Sequence, residues 1–167
     1  MSKCRILGIE KKVYTGKPIT QDLVVVYKGT MLIEGTDYTV AYKNNTKIGT
    51  ATVSIIGKGT FTGTVKKTFK INPKKVAVSK LTAGKKKLTV MWKKTAGGAG
   101  YQIQYGLNKN FSDAKTVTIT NPATVKRVLK NLKSGKTYFV RIRAYKEVGS
   151  KRYYSAKWST VKKAKVK

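Results

Sequence analysis

Apolar residues in this chain recur at every second position in short runs, and that spacing restricts it to strands. Leu88, Val90 and Trp92 alternate, as do Tyr101, Ile103 and Tyr105, and again Tyr138, Val140, Ile142 and Ala144. Side chains two apart share one face of a strand, so each run predicts a strand with one buried face, and the three faces predict a common core. Gln102 and Gln104 then lie on the opposite face of one strand, and Phe139, Arg141, Arg143 and Tyr145 on that of another. In the first half, residues 23–27, 38–42, 51–56 and 65–71 read as strands rich in Thr and Val. Lys28-Gly29, Glu34-Gly35, Asn44-Asn45 and residues 57–59 supply turns. No stretch carries the period of an amphipathic helix, so the expected fold class is all-β, with short strands packed as sandwiches.

Pro73 divides the chain. Proline has no backbone donor and interrupts a ladder, so Asn72-Pro73-Lys74-Lys75 is the expected junction between two domains, 1–72 and 73–167. Residues 1–72 hold 12 basic and 4 acidic residues, net +8, and residues 73–167 hold 25 and 2, net +23. The short connection predicts limited freedom between the halves.

Composition narrows the chemistry. The 167 residues contain no His and a single Cys, which excludes His-based triads, His metal ligands, an intrachain disulfide and a cysteine-rich zinc site. The carboxylates, Glu10, Asp22, Glu34, Asp37, Asp113 and Glu147, are scattered, which argues against a paired-carboxylate hydrolase. No catalytic residue, metal site or cofactor is therefore expected. The formal charge is +31, and among the basic residues only Arg5, Arg127, Arg141, Arg143 and Arg152 are arginine. Lysine is a hydrated point charge without arginine's planar fork, so this coat suits diffuse attraction to polyanions, or plain solubility, better than base readout. No apolar run is long enough to span a bilayer, and residues 1–9 lack the apolar core of a signal peptide. Gly57-Lys58-Gly59-Thr60 is not followed by a helix and reads as a turn rather than a phosphate loop. Asn44-Asn45-Thr46 and Asn110-Phe111-Ser112 match glycosylation sequons, a three-residue pattern that most often arises by chance.

The motifs of the second half carry a resemblance. Trp92 after Leu88-x-Val90, then Tyr101-x-Ile103-x-Tyr105, then Leu132-x-x-Gly135-x-x-Tyr138-x-Val140-Arg141-Ile142-x-Ala144 resembles a fibronectin type III domain. The resemblance implies a seven-stranded, two-sheet sandwich with Trp92 in its core and Tyr138 as a tyrosine-corner residue. Residues 5–72 resemble a bacterial immunoglobulin-like repeat, through Tyr14-Thr15-Gly16-Lys17-Pro18-Ile19, Glu34-Gly35-Thr36-Asp37-Tyr38-Thr39-Val40 and Gly57-Lys58-Gly59-x-Phe61-x-Gly63. Together these resemblances imply a secreted or cell-surface protein of a Gram-positive anaerobe.

The expected role is then a non-catalytic extracellular spacer or adhesion segment that presents or attaches neighbouring domains of a larger chain, and that is a monomer. The alternatives are a binding module for anionic cell-wall polymers or glycans, and an accessory C-terminal region of a secreted hydrolase. Specific nucleic-acid binding is not expected. A ligand-contact surface, if present, is expected at Trp158, Tyr153, Phe139, Arg141, Arg143 and Tyr145. A basic and aromatic stripe of that kind binds anionic glycans, or else simply covers a sheet with cationic stems and rings.

Overall fold

A computed structural model describes residues 1–167. Every regular element is a strand. The chain divides into two compact units, Met1–Asn72 and Pro73–Lys167.

The first unit holds β1 (Arg5–Leu7), β2 (Lys12–Val13), β3 (Val24–Tyr27), β4 (Thr30–Met31), β5 (Tyr38–Lys43), β6 (Gly49–Gly57) and β7 (Thr64–Asn72). They form a three-stranded sheet ordered β1-β3-β4 and a four-stranded sheet ordered β2-β7-β6-β5. Alternation in β6 buries Ala51, Val53 and Ile55, which join Val25, Phe69 and Ile71 in the core. Gln21 and Asn72 are the buried polar residues of this unit. Gln21 donates to the Glu10 carbonyl at 2.8 Å and accepts from its N–H at 3.1 Å, so its amide is satisfied in place. Asn44, with φ 60°, takes the left-handed turn that the Asn-Asn pair predicted.

The second unit holds β8 (Val78–Gly84), β9 (Lys87–Trp92), β10 (Gly100–Gly106), β11 (Lys115–Ile119), β12 (Lys126–Leu129), β13 (Thr137–Val148), β14 (Lys151–Tyr154) and β15 (Lys162–Lys165). One sheet runs β12-β9-β8. The other runs β11-β10-β13-β14, with β15 also paired to β13. The three alternating sets read from the sequence meet as expected. Leu88, Val90, Trp92, Tyr101, Ile103, Tyr138, Val140, Ile142 and Ala144 share one buried cluster, with Tyr105 packed at its margin. The Trp92 and Tyr101 rings meet edge-on, 5.3 Å between centroids. The Tyr138 hydroxyl accepts the Lys133 N–H at 3.1 Å, which is the tyrosine-corner bond. The Trp92 indole N–H is buried without a hydrogen-bond partner.

The expected seven strands become eight segments because the last strand is interrupted. Tyr154 pairs with Tyr145 and Lys162 with Val140. Eight steps along β14 and β15 thus oppose five along β13, and three extra residues bulge outward between them. The bulge stays anchored, because Ser155 N–H donates to the Ala144 carbonyl and Ser159 N–H to the Ile142 carbonyl. Ser159 Oγ also accepts the Ile142 N–H at 3.0 Å. Bulges redirect side chains, and this one carries Trp158 over the outer face of β13.

Candidate functional site

The outer face of β13 is built by strand parity. Gln104 lies directly across from Arg141, and Gln102 across from Arg143. Thr116 and Thr118 of β11 lie across from the same two glutamines. Each row is hydrogen-bonded over three strands. Arg141 Nε and Nη2 both donate to Gln104 Oε1, at 2.8 and 2.6 Å, and Gln104 Nε2 donates to Thr116 Oγ1 at 3.3 Å. Arg143 Nε and Nη2 both donate to Gln102 Oε1, at 3.0 and 2.8 Å, and Gln102 Nε2 reaches Thr118 Oγ1 at 3.5 Å.

Rings and guanidinium groups alternate across these rows. The Arg141 guanidinium lies 4.0 Å from the Phe111 ring centroid and 4.6 Å from that of Trp158. Arg143 lies 4.3 Å from Trp158 and 3.7 Å from Tyr154. The order is Phe111, Arg141, Trp158, Arg143, Tyr154. Guanidinium is planar and weakly hydrated, so it stacks on aromatic faces where an ammonium would stay in water. Partial burial pushes both arginines below the ordinary guanidinium range, and both remain charged. Neither has a carboxylate within ion-pair distance. The ion pairs in the molecule join Lys12 to Asp22 and Arg152 to Glu147.

A folded loop supplies Phe111. The Asp113 carboxylate accepts the Leu107 and Asn108 N–H groups at 2.7 and 3.0 Å. Asn108 Nδ2 donates to Ser112 Oγ, and Phe111 adopts φ 63°. The Leu107 bond above all holds the Asp113 carboxyl below its ordinary value.

The six residues expected to form a contact surface separate into three groups. Trp158, Arg141 and Arg143 come together as described, and Phe139 lies half-buried on the same face. Tyr145 has the right parity but is only 2% exposed. It lies opposite Gly100, where a Cβ would run into the Ile119 carbonyl and stand 2.8 Å from the tyrosine ring. Arg152 covers its other side, 4.5 Å from the ring centroid. Tyr145 is therefore covered rather than available. Tyr153 pairs with Lys146, which has the opposite parity, and is buried away from the arginines. Its neighbour Tyr154 is the ring on the ladder.

Tyr154, Phe111, Gln102 and Gln104 complete a site that sequence reasoning assembled only in part. The signal for Tyr154 was present. A two-residue turn at Gly149-Ser150, with Gly149 at φ 57°, fixes Val148 opposite Lys151 and hence Tyr145 opposite Tyr154. No periodicity marks Phe111, because it sits in a loop. No group of three or more His, Cys, Asp or Glu lies close enough to hold a metal ion.

No curated protein sequence matches the chain. Several solved structures resemble part of the chain. The fn3 domain of human contactin 1 is 23% identical, with 57% of this chain and 76% of that one covered and a TM-score of 0.44. A structure described as "Myokine structure" is 20% identical, covering 57% and 95%, with a TM-score of 0.42. A β-1,2-glucanase from Parabacteroides distasonis is 11% identical, covering 70% of this chain and 18% of the enzyme, with a TM-score of 0.47. The fibronectin type III domain family matches residues 71–161, more than half of the chain, and the chain belongs to that family.

Proposed function

We propose that the chain is a non-catalytic extracellular spacer or adhesion segment of a larger secreted or cell-surface protein, with residues 5–72 forming an immunoglobulin-like repeat beside the fibronectin type III domain. The family match over residues 71–161 carries this reading, because such sandwiches serve as non-catalytic modules of larger proteins. The use of the carboxylates supports it. Asp113 holds a loop, Asp37 accepts the Ile33 N–H of a turn at 2.8 Å, and Glu147 pairs with Arg152. These acids are occupied in structure rather than set beside a nucleophile. Antibodies raised against the chain should label intact cells of the source organism. Labelling confined to lysed cells would reject the extracellular reading.

A second reading, attraction to anionic wall polymers or glycans, is favoured by the distribution of charge. Residues 73–167 carry +23 of the total +31. Lys74, Lys75, Lys93 and Lys94 make up half of the eight residues lining an open recess of about 310 Å³. Attraction of this kind weakens steeply with salt, as screening and counterion release require. Binding of the whole chain to heparin should therefore fall steeply between about 50 and 200 mM salt. Negligible binding at low salt would leave the lysines a role in solubility alone.

A further inference from the structure

We propose that the outer face of β13 is an oriented binding track for a linear anionic polysaccharide, with Arg141 and Arg143 as its specific contacts. The inference deepens the polyanion reading above by giving it a shaped site.

The two guanidinium groups are fixed before any ligand arrives. Each is clamped by a glutamine and stacked between rings, so little side-chain freedom remains to be lost on binding. Each has five N–H donors, of which the glutamine takes two, and Arg143 also bonds the Tyr154 side chain, so donors remain on both groups. No carboxylate neutralises either group. A half-buried cation without an acid is best satisfied by an oxyanion from outside, and the guanidinium fork matches sulfate or carboxylate oxygens in pairs.

The track extends along the strand. Lys163 pairs with Phe139 and Lys165 with Thr137, and this parity places both lysines on the face of Arg141 and Arg143. Positions two apart on a strand are about 7 Å apart, so four cations follow one another over about 20 Å. Such a row fits a linear polymer with regularly spaced charges. The exposed Thr116 and Thr118 hydroxyls flank it. Each oxygen accepts from a glutamine, which leaves its own O–H free to donate to a sugar hydroxyl. The rings of the ladder are already stacked on arginine, so they offer no open platform for bases. That observation favours a polysaccharide over a single-stranded nucleic acid.

The test uses the whole chain at 150 mM salt with four probes: a sulfated heparin oligosaccharide, an oligogalacturonate, inorganic polyphosphate of matched charge, and single-stranded DNA. Affinity is read by calorimetry. The sulfated or the uronic oligosaccharide should bind more tightly than the other two polyanions. Arg141→Lys with Arg143→Lys preserves the charge but removes the forks, and should weaken that binding at least tenfold. Gln102→Glu with Gln104→Glu supplies each arginine with a carboxylate. It should abolish binding while leaving the melting temperature equal or higher, which separates loss of the site from loss of the fold. Lys80→Gln with Lys87→Gln removes the same net charge from the other sheet and should cost less than threefold. Equal weakening by the glutamate and lysine pairs, or no effect of the arginine pair, would overturn the track; steep salt dependence of the parent chain would then leave diffuse attraction standing. Tighter binding of polyphosphate or DNA would overturn the polysaccharide assignment.

Discussion

Replacing Trp158 by alanine removes the ring on which both Arg141 and Arg143 stack. Each exposed cation–π contact contributes about 0.5–1 kcal/mol, so two contribute about 1–2 kcal/mol. Trp158 is half-buried, and full burial of a large apolar side chain contributes about 1.5–3 kcal/mol, so its share is about 1 kcal/mol. The expected loss is therefore about 2–3 kcal/mol. Trp158→Phe keeps a ring and should cost about 1 kcal/mol. The assay is urea unfolding followed by tryptophan emission. The chain has two tryptophans, so in the Trp158→Ala variant Trp92 alone reports on the second unit. With a slope typical of small domains, the midpoint should fall by on the order of 1 M. A cycle with Arg143→Met, which retains most of the apolar stem, should show a coupling of about 0.5–1 kcal/mol. A loss below about 0.5 kcal/mol together with zero coupling would refute the ladder as a source of stability.

Trp92→Ala should destabilise the second unit by about 3–5 kcal/mol, read from its thermal melt, because it empties a large volume from the core. Tyr138→Phe removes the single bond from the Lys133 N–H and should cost about 1 kcal/mol. Asp113 provides a pH test. Its carboxyl lies below its ordinary value of 3.8 in the folded state, so its contribution is complete above that value. The contribution is lost as pH falls through the folded value, and amide exchange at Leu107 and Asn108 should accelerate there; an Asp113→Asn variant should lose this acid dependence.

The β13 site shows what alternation reveals and what it leaves hidden. Runs such as Tyr138 to Ala144 name both faces of a strand, so the core and the outward positions of Arg141 and Arg143 follow from spacing alone. Alternation left further strands of the second unit unassigned, among them Val78–Gly84, Lys115–Ile119 and Lys126–Leu129. A bulge between Val78 and Lys80 breaks the alternation of the first, and the other two carry only Val117 with Ile119 and Val128 with Leu129 as apolar residues, runs too short to mark a strand before their pairing with β10 and β9 is known. Alternation also gives parity but not cover. Tyr145 points outward yet is sealed by Arg152 and by its fit against Gly100, and both depend on neighbouring strands. The Trp158 bulge escaped for a related reason. Three additional residues in one strand become visible only when both registers with β13 are known.

The central claim is that this chain is a pair of self-contained β modules, and separating it at Asn72–Pro73 tests that claim most directly. Residues 1–72 and 73–167, produced individually, should each give a strand-type circular dichroism spectrum and a cooperative thermal transition, since each unit holds its own sheets and buried side chains. Two pieces that stay unfolded alone and acquire structure only on mixing would contradict it.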